Sequence, residues 1–278
     1  MEEVLISDQV FSNPYKIHDI NDDMYLVENQ LPFFSLEDLF TLANINISSN
    51  RDGKLSMLEI THEFTRFHCG FLGIENFEER NYLRVKHLVH FLRICMVPSK
   101  LPKEVRPKIL TTPNVSKLHK IGVKFKLGST ANLFDIKFRD EILEIPRLSI
   151  CSPMEYVVKN LLAFEQSQCD DNLLCDYVIF MNYLVHTPKD VELFVRQEII
   201  ENLLGDSEKV PTLFHKLVEQ ATFDSYYFQF SSLVEDLNAY CRRPWNKWKA
   251  NLKQEILRTP WTAISVIFIV ILLYLYSL

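Results

Sequence analysis

The feature that most constrains this chain is its C-terminal end, where residues 261–278 (WTAISVIFIVILLYLYSL) contain no charged side chain. As a helix that rises about 1.5 Å per residue, this run would reach roughly 27 Å, close to the ~30 Å hydrocarbon core of a bilayer. Trp261 stands at one edge, and Tyr274 and Tyr276 stand near the other, where aromatic rings favour the headgroup layer. The pattern predicts one C-terminal transmembrane helix over residues 260–278.

A basic segment that contains tryptophan precedes this run, at residues 242–259. Its basic residues are Arg242, Arg243, Lys247, Lys249, Lys253 and Arg258, with Glu255 as the one acid. Its apolar residues recur at helical spacing, as Trp245, Trp248, Leu252 and Ile256. This composition is typical of an amphipathic helix at a membrane surface.

Orientation follows from the same segment, because basic residues that flank a span stay on the cytoplasmic side. We therefore expect a single-pass membrane protein with the lipid bilayer as a partner and its bulk in the cytosol. The sequence does not distinguish the plasma membrane from the endoplasmic reticulum.

The remainder of the chain has the composition of a folded, acidic body. Of 278 residues, 47% are hydrophobic and 24% are charged, so the chain can bury a sizeable core. Outside the basic segment, 24 basic residues stand against 35 acidic ones. Nucleic-acid binding needs a concentrated basic surface, so we do not expect it of this body. Six scattered cysteines without metal-binding spacing are expected to be reduced thiols.

Helical patterns dominate residues 1–241. Caps and periodic apolar residues predict a helix that begins at Ser35 and further helices at residues 56–71, 82–96, 153–168, 173–185, 188–205, 211–221 and 231–241. Period-two patterns predict a small antiparallel β-meander around residues 122–146. The expected fold class is mainly α-helical (α+β), with the meander inside a helical body and the transmembrane helix behind it.

One segment, residues 48–59, has the spacing of a degenerate EF-hand loop. The candidate calcium ligands are Ser48, Asn50, Asp52, Ser56 and Glu59. Position 1 of such a loop should be aspartate, and Ser48 brings no charge. The alternative interpretation is an Asp-Gly turn that leads into a helix.

Other candidate chemistry is weaker. His87 and His90 share a predicted helix face with Lys86 and Arg93, which we interpret as a solvated stripe, with a zinc site as the alternative. The sequence has neither a G-x-S-x-G elbow nor a glycine-rich phosphate loop. We therefore predict no catalytic residues and no cofactor, while an unrecognised enzyme stays the alternative.

Several stretches resemble a plant family known as domain of unknown function 247, or uncharacterised protein family 0481. They are LVENQLPFF (26–34), GVKFKLG (122–128), FDIKFRDEILEIPRLSI (134–150), NLLAFEQ (160–166), DYVIFMNYLVHTPKDVELFVRQEII (176–200) and NAYCRRPWNKWKANLKQEILRTPW (238–261). The family usually carries a long portion before the first of these stretches, so this chain resembles an N-terminally truncated member. It also has Arg139-Asp140-Glu141 where the family has an Asn-Gly-type turn, so the sequence does not itself predict a tight hairpin there.

The resemblance implies a plant membrane-associated protein without defined catalytic residues. Some family members are implicated in self-recognition between pollen and stigma in grasses, which implies an interaction or signalling role with protein partners that the sequence does not name. From the sequence we thus expect a C-terminally anchored interaction or recognition protein. A calcium-dependent regulator that uses residues 48–59 and an unrecognised enzyme are the alternatives.

Overall fold

The computed structural model describes residues 13–43, 56–74, 85–98, 111–222 and 227–243, together with Phe268. The helices among these residues are α1 (Pro14–Asp23), α2 (Phe33–Leu42), α3 (Met57–Cys69), α4 (Leu88–Met96), α5 (Val115–Ile121), α6 (Met154–Gln168), α7 (Leu173–Leu184), α8 (Pro188–Arg196), α9 (Lys209–Val218) and α10 (Ser231–Arg242). The strands are β1 (Lys124–Leu127), β2 (Lys137–Arg139), β3 (Ile142–Ile145), β4 (Leu148–Ile150) and β5 (Ile200–Asn202), and 3-10 turns occupy Val27–Asn29 and Gly70–Leu72.

Helix α7 lies at the centre of the hydrophobic core. Its sequence, LLCDYVIFMNYL, is apolar on almost every side, and ten of its twelve residues are buried. A helix without a polar face must be covered all round, and α6 and α9 both pack against it. Mainly helical architecture around one core is what the sequence predicts.

Two helices begin where the sequence places a cap, whereas the helix predicted over 82–96 begins only at Leu88, after the side-chain cap of His87. Ser56 accepts a hydrogen bond from the N–H of Glu59, and Thr187 accepts one from Asp190, so α3 and α8 both begin with a capping box. The Ser35 cap is wrong, because α2 begins two residues earlier, directly after Pro32.

The antiparallel meander is a wrong prediction. The strand order is β1-β3-β2, with β1 parallel to β3 and only β2 antiparallel to it. Strand β3 carries the fully buried Leu143 and Ile145, so it takes the central position and accepts a neighbour on each edge. Period-two patterning indicates strands but does not specify their partners. A tight two-residue turn joins β2 to β3, with positive φ at Asp140 and Glu141.

The sequence patterns do not predict the second small sheet. Strand β4 pairs in parallel with β5, and Leu148 lies opposite Ile200. The predicted helix over 188–205 begins where expected, but its predicted end is wrong, because α8 ends at Arg196 and Glu198 takes a left-handed φ of 57°. Three-residue strands are too short to show a period.

The predicted transmembrane helix is contradicted. Among the described residues no helix is both long and apolar enough to cross a membrane. The longest, α6, has 15 residues, and about 1.5 Å per residue gives it roughly 22 Å against a hydrocarbon core of ~30 Å. Residues 261–278 lie outside the described part, except Phe268, which is helical and 64% exposed. The single-pass anchor, its membrane localisation and the cytosolic orientation are therefore withdrawn, because an uncharged run indicates apolar surroundings without specifying a bilayer.

A buried ion pair connects three helices of the core. Arg93 on α4 is 4% exposed and Glu165 on α6 is 0% exposed, and their side chains meet at 2.7 Å. Glu165 also accepts hydrogen bonds from the N–H groups of Leu174 (3.0 Å) and Cys175 (2.9 Å) at the start of α7. Arg93 reaches Asp171 as well. The interpretation of Arg93 as part of a solvated stripe is therefore wrong.

Removing the charge of Glu165 should be costly. In Glu165→Gln the guanidinium of Arg93 loses a partner while it stays buried, and breaking such a pair costs about 3–5 kcal/mol. Denaturant unfolding should show this loss. The matched control is Glu63→Gln, which breaks the exposed Arg66–Glu63 pair of 2.9 Å and should cost less than about 1 kcal/mol. Equal losses would show that the buried pair does not tie the helices together.

Gly73 is a second sensitive position, because its φ is +68° and a Cβ there would lie 2.1 Å from the carbonyl oxygen of Ala131. Gly205 has a similar φ of +72° but nothing within 4 Å of a Cβ. Gly205→Ala should therefore cost only the left-handed strain of about 1–2 kcal/mol, and Gly73→Ala should cost clearly more. Thermal melts of both variants test this difference.

Candidate functional site

The N-terminal segments form an apolar groove of about 270 Å³ between α2 and α3. Its main apolar lining residues are Leu31, Phe33, Leu36, Ile60, Phe64 and Leu88. Phe33 and Leu88 form a buried floor, while Leu31 is 60% exposed at the mouth. The apolar groove, as we call this feature hereafter, is open to solvent on one side.

Backbone hydrogen bonds fix the floor of the apolar groove to α4. The N–H of Phe33 donates to the carbonyl oxygen of Lys86 at 2.7 Å. The Gln30 amide donates to the carbonyl oxygens of Met24 (2.9 Å) and Leu26 (2.7 Å) and accepts from the N–H of Val89 at 3.0 Å. These bonds hold the groove floor in a fixed position against the start of α4.

The segments that form the groove also carry most of the exposed large apolar side chains, of which Met24 and Leu31 line the groove itself. Among the described residues, eight of the twelve such side chains lie between positions 15 and 67, in segments that make up only about a quarter of those residues. They are Tyr15, Ile20, Met24, Leu31, Phe34, Leu39, Leu42 and Phe67. Phe67, 85% exposed, follows Ile60 and Phe64 along one stripe of α3. These segments therefore leave more apolar surface exposed than the rest of the described chain does.

The same segments are strongly acidic. Residues 13–43 and 56–74 carry eight acidic and two basic side chains. Asp23, Glu28 and Glu37 are exposed and form no ion pair with any described residue. Asp23, Glu28 and Glu37 stand next in sequence to the lining residues Met24, Asn29 and Leu36, so the groove-forming segments carry exposed negative charge.

Two histidines lie at the start of α4, next to the groove residue Leu88: His87 is the N-cap residue and His90 is in the first turn. His87 accepts a hydrogen bond at Nδ1 from the N–H of His90 (3.3 Å), and His90 accepts one at Nδ1 from the N–H of Lys86 (3.0 Å). Both rings lie against Phe164, with centroids 5.1 and 5.5 Å away. Burial, followed by the positive charge of Lys86, lowers the pKa of His90 to about 4.

This lowered pKa predicts loss of stability in acid. In the unfolded chain His90 has the ordinary pKa of 6.5. Between pH 6.5 and about 4 the unfolded chain therefore binds a proton at His90 that the folded protein does not bind. The contribution of His90 is complete above pH 6.5 and is lost as pH falls towards 4. The melting temperature of His90→Gln should fall less steeply over this interval than that of the wild type. His215→Gln, at an exposed site, should keep the wild-type slope.

A larger polar cleft of about 540 Å³ lies between the start of α6 and α9. Glu155 there is neutralised by Lys159 (2.8 Å) and Lys216 (3.3 Å), whose hydrogen bonds and charge lower its pKa. Burial raises the pKa of the lining Cys151 thiol. Among the described residues, no hydrogen bond joins the Cys151 thiol or the Ser152 hydroxyl to a carboxylate or amine of the lining, and no histidine is among the lining residues.

The predicted calcium ligands fall mostly outside the described residues, as Ser48, Asn50 and Asp52 do. The remaining two, Ser56 and Glu59, cap α3: Glu59 Oε2 accepts from the Ser56 N–H (2.7 Å) and hydroxyl (2.9 Å). Within the described part of the chain, no group of three or more histidine, cysteine or acidic side chains could hold a metal. The calcium site stays a prediction.

The residues of the basic segment and of the predicted transmembrane helix also lie mainly outside the described part. Those outside are Trp245, Lys247, Trp248, Lys249, Lys253, Trp261, Tyr274 and Tyr276. Arg242 ends α10, and the guanidinium of Arg243 lies over the ring of Tyr240, 5.7 Å from its centroid.

Comparison with known proteins decides the family. The profile of DUF247, described as a plant protein of unknown function, matches residues 3–275. The chain belongs to this family. This confirms the resemblance seen in the sequence, and the groove-forming LVENQLPFF stretch lies inside the match. No solved structure shows significant similarity to the chain.

Two Arabidopsis thaliana proteins illustrate its relatives. UPF0481 protein At3g47200 is 26% identical over 98% of this chain and 62% of its own length. Putative UPF0481 protein At3g02645 is 25% identical over 61% of this chain and 32% of its own length. This chain therefore spans about three fifths of the length of the first relative and about a third of the second.

Proposed function

We propose that this DUF247 protein binds other proteins, and that its apolar groove accepts apolar side chains from a partner helix whose other face is basic. The observation that carries the proposal is an apolar groove with exposed Leu31 and Met24 in its lining, built mostly from segments that are acidic and rich in exposed apolar side chains. Helix-in-groove recognition places anchors at positions i, i+3 or i+4 and i+7 of the bound helix.

The size of the groove supports a side-chain ligand. Its volume of about 270 Å³ lies just below the ~300–1,000 Å³ of typical small-molecule sites. One or two large apolar side chains would occupy such a space, and buried anchors of this kind supply most of the affinity of a protein interface. The preformed floor at Phe33 and Gln30 reduces the ordering cost of binding.

Charge supports the same kind of partner. The exposed Asp23, Glu28 and Glu37 attract a basic helix face before contact and disfavour an acidic one. Catalysis has less support, because Glu155 in the larger cleft is already paired with lysines and no histidine lies among its lining residues.

A designed peptide tests the proposal. A labelled helical peptide with leucine and tryptophan at i, i+3 and i+7 and lysine elsewhere should raise fluorescence anisotropy when the full chain is added. Leu31→Asp should weaken binding about tenfold or more, since ~1.4 kcal/mol is tenfold and a buried leucine contributes ~1.5–3 kcal/mol. Leu31 is largely exposed in the free protein, so the fold should survive.

The matched control is Leu203→Asp, because Leu203 is 61% exposed against 60% for Leu31 but lies beyond β5, outside the groove lining. It should bind the peptide like the wild type. Equal affinity of Leu31→Asp and Leu203→Asp, or equal binding of a peptide with glutamate in place of lysine, would refute the groove as the binding site.

A further inference from the structure

The basic segment of this chain has the chemistry that the groove favours. Between residues 242 and 258 it carries six basic residues and one acid, and its apolar residues Trp245, Trp248 and Leu252 follow helical spacing. Residues 244–258 lie outside the described residues, so their sequence alone enters the argument.

Charge and size make the two features complementary. Residues 13–43 and 56–74, which supply all the groove lining except Leu88, carry eight acidic and two basic side chains, and residues 85–98 around Leu88 add Lys86 and Arg93. Residues 244–258 have the opposite balance, with four basic residues and one acid. Asp23, Glu28 and Glu37 have no described basic partner to displace. Tryptophan is also among the commonest anchors of protein interfaces, and a groove of about 270 Å³ has room for such an anchor.

We propose that residues 244–258 of this chain are a ligand of its own apolar groove. The inference rests on the proposed function, because it uses the same groove and the same kind of contact. In this proposal Trp245 and Trp248 supply the apolar anchors, and Lys247, Lys249 and Lys253 supply charge opposite to that of the exposed acids. An external partner then binds only by displacing this segment, so the segment sets the affinity of the groove.

Tryptophan fluorescence provides a direct test, because the three tryptophans of the chain are Trp245, Trp248 and Trp261. In the full chain with Trp261→Phe, emission reports on the segment alone. It should be shifted to shorter wavelength and be less quenched by iodide than emission from a free 244–258 peptide. Adding Leu31→Asp with Glu37→Lys should move both readings towards those of the free peptide.

Matched controls separate the groove from general charge and hydrophobicity. Leu203→Asp with Glu192→Lys changes the same residue types at two exposed positions, one directly after β5 and one on α8. This pair should leave the emission unchanged. Emission that moves equally with both pairs, or that shifts to shorter wavelength only when phosphatidylcholine vesicles are added, would overturn the inference.

The designed peptide distinguishes this inference from the proposed function. If the peptide binds and Leu31→Asp prevents it, but tryptophan emission already equals that of the free segment, the inference is wrong and the groove still binds partners. If neither the designed peptide nor the 244–258 peptide binds, both proposals are wrong. Displacement by the designed peptide, seen as a shift of emission to longer wavelength, supports both.

Discussion

The rest of the structure depends on the buried ion pair between Glu165 and Arg93. The Glu165 carboxylate neutralises Arg93 of α4 and accepts hydrogen bonds from the N–H groups of Leu174 and Cys175 in the first turn of α7. A carboxylate without solvent needs such partners, because a buried charge left alone is strongly destabilising. Three helices therefore keep one relative position, and the apolar residues of α7 complete their packing around it.

The position of the apolar groove depends on this arrangement of helices. Arg93 fixes α4, and the start of α4 holds the groove floor through the Lys86 carbonyl oxygen and the Val89 N–H. The Gln30 side chain bonds to the carbonyl oxygens of Met24 and Leu26 in its own segment and to the N–H of Val89 in α4. These bonds allow the irregular segment before α2 to lie against the core. The side chains left over, such as Leu31, face solvent because no described element covers them.

Local chemistry explains which elements could be predicted. Ser56 and Thr187 bond within one turn of their own helices, so capping boxes can be recognised in sequence. The partners of a strand and the partner of a buried charge lie far along the chain: β3 pairs with β1 across more than a dozen residues, and Arg93 pairs with Glu165 across 72. Hydrophobic period therefore predicted strands without their order and placed Arg93 on a solvated face.

The sequence by itself determined the family, the helical character of the body and its acidic balance, since these follow from motifs, local propensity and composition. Only the tertiary structure decided the mixed sheet order, the burial of Arg93 and the apolar groove. Its lining comes from separate segments around residues 30, 36, 60 and 88. Each segment looks like ordinary core in sequence, and it is the packing of α2, α3 and α4 that leaves some of its side chains exposed.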